Sequence, residues 1–248
     1  MKKLIAVLLV GAVLTPFQAS AADTGMINEV FVCTFNEGKD WDDFLEVSAF
    51  YGETVKKIGG AADDFFAYAW RPFRGSVEFD YLWSGYYENL RVLGDSWQAY
   101  IGTEEGRAAD ARWEELETCR SALLNFEQIY DAPDFPADDT ATTMLESFRC
   151  TLQPGKSLAD VRTALEPWKA HAAALDLPFD VYMRTPLVSG SDRDHGYFVV
   201  HENAAAYGAN MSAWLTHPDT AGIDAMLDEV QDCKNALWLS EPAFQPDD

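Results

Sequence analysis

Cys33-Thr34-Phe35-Asn36-Glu37-Gly38-Lys39-Asp40 returns later in the chain as Cys150-Thr151-Leu152-Gln153-Pro154-Gly155-Lys156-Ser157. Other pairs follow in the same order. Tyr68 and Pro72 return as Tyr182 and Pro186, and Glu88-Asn89 returns as Glu202-Asn203. Cys119-Arg120-Ser121-Ala122-Leu123 returns as Cys233-Lys234-Asn235-Ala236-Leu237. The offset shifts once, between the first anchor and the rest. An internal repeat of this length means that one folding unit is used twice. The reading places repeat one at 26–130 and repeat two at 143–241. A linker rich in Asp, Ala and Pro at 131–142 separates them, and a tail covers 242–248.

Each copy reads strand, helix, strand, strand, helix, strand. Strand one spans 29–35 or 145–152, rich in β-branched and aromatic residues. Helix one starts at Asp40 or Ser157, each with an acid three residues on (Asp43, Asp160), a loose capping box. Strand two spans 65–70 or 179–184 and should stop at Pro72 or Pro186. Strand three spans 80–87 or 194–201. The helical stretches 88–117 and 202–232 should break near Gly102 and His217-Pro218, and strand four follows Cys119 or Cys233.

The first residues predict an export signal. Lys2 and Lys3 precede an apolar run from Leu4 to Leu14 and the small-residue site Ala19-Ser20-Ala21. Cleavage after Ala21 predicts a periplasmic or secreted protein. The run is too short to span a bilayer. The full chain carries a formal charge of −23, and losing the two lysines makes it more acidic still. Nucleic acid and anionic membrane are therefore excluded as partners.

Four cysteines in an exported chain predict two disulfides. In a βαββαβ unit of ferredoxin-like type, strands one and four are antiparallel neighbours. The late end of one meets the early end of the other, so the pairing expected is Cys33–Cys119 and Cys150–Cys233. With no CxxC among them, neither a metal site nor a redox pair is expected.

The element order, the duplication and the segment Trp83-Ser84-Gly85-Tyr86-Tyr87-Glu88-Asn89 resemble the dimeric α/β-barrel superfamily. That group includes antibiotic-biosynthesis-type monooxygenases, NIPSNAP-like proteins and chlorite dismutase-like haem proteins. The resemblance implies an α+β fold in which two four-stranded antiparallel sheets face each other as a barrel with helices outside. Here one chain supplies both halves, so a monomer is the expectation. The superfamily's chemistry varies, so the fold leaves function open.

Period-two alternation then divides each strand between helix side and lumen. Strand two sends Phe65, Ala67 and Ala69, or Phe179, Val181 and Met183, under the helices. Phe66, Tyr68 and Trp70, or Asp180, Tyr182 and Arg184, face the lumen. In strand one, Phe148, Cys150 and Leu152 go under the helices, leaving Ser147, Arg149 and Thr151 inside. Strand three is expected to turn Tyr81, Trp83 and Tyr87, or His195, Tyr197 and His201, inward.

The function expected first is binding of a small molecule in the barrel. Arg149 and Arg184 would hold an anionic group, and Tyr68, Trp83 and Tyr182 a ring, with Trp70, Asp180 and His195 also in the lining. A second reading is a cofactor-free monooxygenase-type enzyme with His201 as the base. A third is an inert structural or partner-binding module, in which Arg149 and Arg184 pair with Asp180 inside a filled barrel. No cofactor and no metal are expected; haem on a lumen histidine is the alternative.

Overall fold

A computed structural model describes residues 25–133, 135, 141–189 and 193–246. The expected signal segment lies outside the described residues, as do 134 and 136–140 of the expected linker. The first half builds β1 (Met26–Phe35), α1 (Trp41–Ile58), β2 (Phe66–Arg74), β3 (Tyr81–Tyr87), α2 (Leu90–Tyr100), α3 (Glu104–Leu116) and β4 (Glu117–Tyr130). The second half repeats the order with β5 (Thr143–Leu152), α4 (Leu158–Ala174), β6 (Phe179–Val188), β7 (His195–His201), α5 (Ala204–Thr216), α6 (Thr220–Asp228) and β8 (Gln231–Phe244).

Chain-turning chemistry explains why the repeat anchors match. Asp40 and Ser157 each cap a helix N-terminus, and Asp43 and Asp160 return a bond to the cap backbone. Asn89 and Asn203 cap α2 and α5 in the same way, each accepting from two backbone amides. Gly38 and Gly155 both sit at φ 80°, a left-handed turn that a side chain resists. Asp80 and Asp194, just before β3 and β7, each accept from the last residue of the paired first strand, Phe35 N of β1 and Leu152 N of β5, both at 2.8 Å.

The strands close a barrel in the order β1-β3-β2-β8-β5-β7-β6-β4. Each half is a four-stranded antiparallel sheet. The seams between halves are β2–β8 and β4–β6, both antiparallel. Closure leaves no sheet edge unpaired. Cys33 lies directly opposite Cys119, and Cys150 opposite Cys233. Both expected disulfides form, with Cα separations of 4.2 and 4.1 Å.

Three cores follow from the two faces of the sheet. One lies under the helices of the first half, around Phe44, Val55, Phe65, Tyr81 and Trp83. Another lies under those of the second, around Val161, Phe179, Met183, Tyr197 and Trp214. The third fills the barrel, around Val30, Trp70, Tyr86, Phe126, Phe198 and Trp238.

This sorting matches the expected faces of strands one and two. It reverses strand three. Tyr81, Trp83 and Tyr87 lie under the helices, and Leu82 and Tyr86 face inward. Tyr197 and His201 likewise pack on the helix side. The reason is that every residue of β3 is buried, so alternation carries no sign there. Register decides instead: Tyr81 pairs with Cys33 and Trp83 with Phe31, both helix-facing.

Two boundaries also move. β2 and β6 run on through Pro72 and Pro186 to Arg74 and Val188. Both prolines sit next to register shifts, where a missing amide proton is tolerated. β8 continues to Phe244, past the expected start of the tail, and Phe244 stacks on Phe65 at 4.7 Å.

Each disulfide closes a loop of more than 80 residues, with sequence separations of 86 and 83. Replacing Cys33 and Cys119 together by Ser should lower the unfolding free energy by about 4 kcal/mol in denaturant titrations. A loss under about 1 kcal/mol would mean that the barrel ladder already holds this loop closed.

Candidate functional site

Arg149 on β5, Gly196 on β7 and Arg184 on β6 form one row across the second-half sheet, paired strand to strand. Arg149 precedes helix-facing Cys150, so alternation turns it into the barrel. Arg184 shares the inward face with Tyr182. The glycine between them matters. A Cβ at Gly196 would stand 2.4 Å from the Phe148 carbonyl oxygen and 3.4 Å from the Arg184 guanidinium. Its absence leaves room for two cations side by side.

The matching row in the first half is Val32, Leu82 and Trp70, likewise paired strand to strand. Val32 and Leu82 line the same cavity as the arginines, a space of about 510 Å³ at the disulfide end of the barrel. Arg120, beside Cys119, and Arg193 add two further cationic side chains to the lining. Phe79, Phe198 and Trp238 supply aromatic surface. Trp238 is fixed by its Nε1 donating to Ser147 Oγ at 2.7 Å, and Phe79 stacks on it at 5.7 Å. The floor is an aromatic plug. Trp70 meets Phe198 edge-on at 4.3 Å, and beyond them Tyr86 meets Phe126 edge-on and Phe126 stacks on Tyr182.

No Asp or Glu is among the described residues lining this cavity, in a chain of charge −23. Arg184 lies over the Phe198 ring, 3.3 Å from its centroid, and its Nε is buried without a hydrogen-bond partner. Burial pushes the Arg184 guanidinium down to about 9, and nearby Arg149 pushes the same way; only the Tyr86 phenol opposes them. An arginine held against desolvation, with no carboxylate in the described lining, is a candidate functional group rather than half of a structural ion pair.

The structure separates the residues expected to line one lumen. Arg149, Arg184 and His195 line the cavity. Tyr68, Trp70 and Tyr182 face the barrel but belong to the plug. Asp180 does not reach the arginines; it accepts from Ala132 N at 3.1 Å and from Tyr182 O–H at 3.4 Å. Trp83 and His201 lie on the helix side. Burial drives His201 down to about 4, and the Asn210 amide donates to its Nδ1 at 3.1 Å. Arg120 was legible by the alternation that placed Arg149, because it follows a helix-facing cysteine. Arg193 and Phe79 come from loops, which carry no periodic signal.

No family model matches the sequence, and no curated protein matches it either. Solved structures do match in shape. A protein described as a candidate monooxygenase from Lactobacillus acidophilus superposes with a TM-score of 0.59 at 11% identity, covering 90% of this chain and 97% of that one. An encapsulated DyP-type peroxidase from Mycobacterium smegmatis gives 0.53 at 9% identity, covering 91% and 96%. A candidate chlorite dismutase gives 0.52 at 11%, covering 88% and 95%. This fold is the dimeric α/β barrel, closed within one chain.

The barrel corrects one expectation. Absence of a cofactor does not follow from the fold, because proteins of this shape include a chlorite dismutase candidate and a DyP-type peroxidase, both haem classes. The fold leaves haem possible. The histidines of this barrel do not fit it. His195 donates from Nε2 to Gln231 Oε1 at 2.6 Å, and its Nδ1 is sealed from solvent. His201 lines neither the arginine cavity nor a second cavity of about 570 Å³ under the first-half helices, whose described lining has no histidine. Cys33, Cys119 and Glu117 cluster within 4.8 Å, but sulfurs joined in a disulfide offer no thiolate to a metal.

An uncompensated buried cation weakens the empty protein. Arg184→Leu should therefore raise the unfolding free energy of the ligand-free protein by about 1–3 kcal/mol. A fall in stability would make Arg184 a structural residue and remove it from the site.

Proposed function

We propose that this protein binds a small anion with an apolar or aromatic body in the arginine cavity. Arg149 and Arg184 hold the anionic group, with Arg120 and Arg193 at hand. Phe198, Trp238 and Leu82 receive the body. The observation that carries this reading is Arg184, desolvated against the Phe198 ring and set beside Arg149, in a cavity with no acidic side chain in its described lining. Binding of an anion would offset the desolvation of the Arg184 guanidinium and raise its pKa back toward the ordinary arginine value, so ligand affinity and protein stability are linked.

The cavity weighs against an inert core, which required a filled barrel and Arg–Asp180 pairs. The monooxygenase reading draws support from the fold of its neighbours. It requires a proton acceptor facing the substrate, and His201, packed against Tyr207 at 5.2 Å, is turned away from the arginines. Binding is therefore the reading the geometry favours. We take the protein to be exported, which the two disulfides support. Among the described residues, no helix is long and apolar enough to cross a membrane. We also take it to be monomeric, because one chain closes its own barrel.

Melting curves with 1-naphthoate and with neutral 1-naphthamide test the binding reading. Naphthoate at one hundred times its Kd should stabilise the protein by about 2.7 kcal/mol, and naphthamide should do far less. Arg149→Ala combined with Arg184→Ala should abolish the naphthoate shift. Equal shifts from both compounds, or a shift that survives in the double variant, would refute it. Light scattering coupled to size exclusion should report the mass of one chain; twice that mass would show that the duplication did not replace a homodimer.

A further inference from the structure

The second cavity has the opposite chemistry. It lies between the outer face of the first-half sheet and helices α1, α2 and α3, with a volume of about 570 Å³. Five elements turn aromatic rings onto it: Phe31 from β1, Tyr51 from α1, Trp83 and Tyr87 from β3, Trp97 from α2 and Trp113 from α3. The rings meet at angles rather than in one stack. Tyr51 is edge-on to Trp83 at 6.2 Å and to Trp113 at 6.0 Å, and Phe31 is edge-on to Trp83 at 5.7 Å. Aromatic rings from different elements thus line one open cavity, a surface suited to cation–π contact.

Carboxylates complete the lining: Glu29, Asp110, Glu114 and Glu117. No Lys, Arg or His is among its described lining residues. In so acidic a chain the carboxylates alone would mean little. Glu29 is different, because it is only 9% exposed, its donors among the described residues are neutral and its bonds to them are long. Tyr87 O–H reaches it at 3.3 Å and Trp97 Nε1–H at 3.4 Å.

The repeat supplies an internal control. Glu146, the counterpart of Glu29, is equally buried, but the Asn235 amide donates to it at 2.6 Å. The second half thus satisfies its glutamate from within. The first half leaves the same group facing an aromatic cavity, where Trp83 Nε1 and Glu117 Oε2 are also buried without partners. A buried carboxylate without a cation is costly, and this one opens onto a cavity lined by aromatic residues, which favour a cation.

We infer that this cavity is a binding site for an organic cation of the quaternary or tertiary ammonium class, held by ring faces and neutralised by Glu29. The site is separate from the arginine cavity: Leu82 lines one and Trp83 the other, on opposite faces of β3.

Choline and its uncharged isostere 3,3-dimethylbutan-1-ol test this, titrated into the purified protein by calorimetry and tryptophan fluorescence. Choline should bind saturably and at least about tenfold more tightly than the alcohol. Glu29→Gln and, separately, Trp113→Leu should each weaken choline by about tenfold or more, with naphthoate binding unchanged. Equal affinities for choline and the alcohol, no saturable choline binding, or full choline affinity in Glu29→Gln would overturn the assignment. Should Glu29→Gln fail to fold, the choline-to-alcohol ratio and Trp113→Leu decide alone. Loss of naphthoate binding in Arg149→Ala with Arg184→Ala, while choline still binds, would keep the two sites distinct.

Discussion

The antiparallel seams β2–β8 and β4–β6 carry the rest of the structure. They join two sheets that would otherwise each expose two strand edges. Once the ring is closed, every strand has one face toward the helices and one toward the interior. Side-chain identity at each position then has a fixed meaning. The disulfides pin this assignment at one end, because each cystine joins directly opposed residues on the helix side. The residues flanking them, Val32, Arg120 and Arg149, are thereby committed to the interior. A one-residue slip in either ladder would turn these arginines onto the helix side and bring the cysteines into the barrel.

This logic explains what could be read in advance. The repeat, the helix caps and the faces of the first two strands all rest on local spacing, which is present in a single sequence; the disulfide pairing needed in addition the ferredoxin-like rule that strands one and four are neighbours. Arg149 and Arg184 were placed in this way, and they do line the cavity. Strand three failed because Tyr81–Tyr87 is buried on both faces, so polarity gave no direction and the histidines of β7 misled. Pro72 and Pro186 misled for a related reason: a proline ends a strand only where its amide is needed. The second cavity was beyond sequence reasoning, since its walls come from five elements that only the closed fold brings together.

Charge makes sense of the two sites when burial is considered. A surface rich in carboxylates is solvated and screened, and it says little about recognition. Arg184 and Glu29 are largely withdrawn from solvent at the walls of their cavities, and burial shifts the pKa of each in the direction of its neutral form. For each, nothing in the described surroundings supplies a full counter-charge. Desolvated groups of this kind lower stability unless something binds them, and a fold retains them most readily where binding occurs. The acidic exterior then acts selectively. It repels anions at long range, so an anionic ligand must gain its affinity from contacts within the cavity, whereas a cation is drawn in from a distance.

Duplication supplied the means to build both. Where the second half has Arg149, Gly196 and Arg184, the first has Val32, Leu82 and Trp70, and the two rows become the cationic and apolar walls of one chamber. In a barrel made from two identical chains, a change in one row would appear in both. Two arginine rows facing each other would repel, and two apolar rows would pack shut. Within a single chain the rows diverge independently, so one half can hold charge while the other excludes water around it. The same freedom separates Glu29 from Glu146. Glu146 is satisfied by Asn235; Glu29, whose half has Ser121 at the position equivalent to that asparagine, is left lining the aromatic cavity.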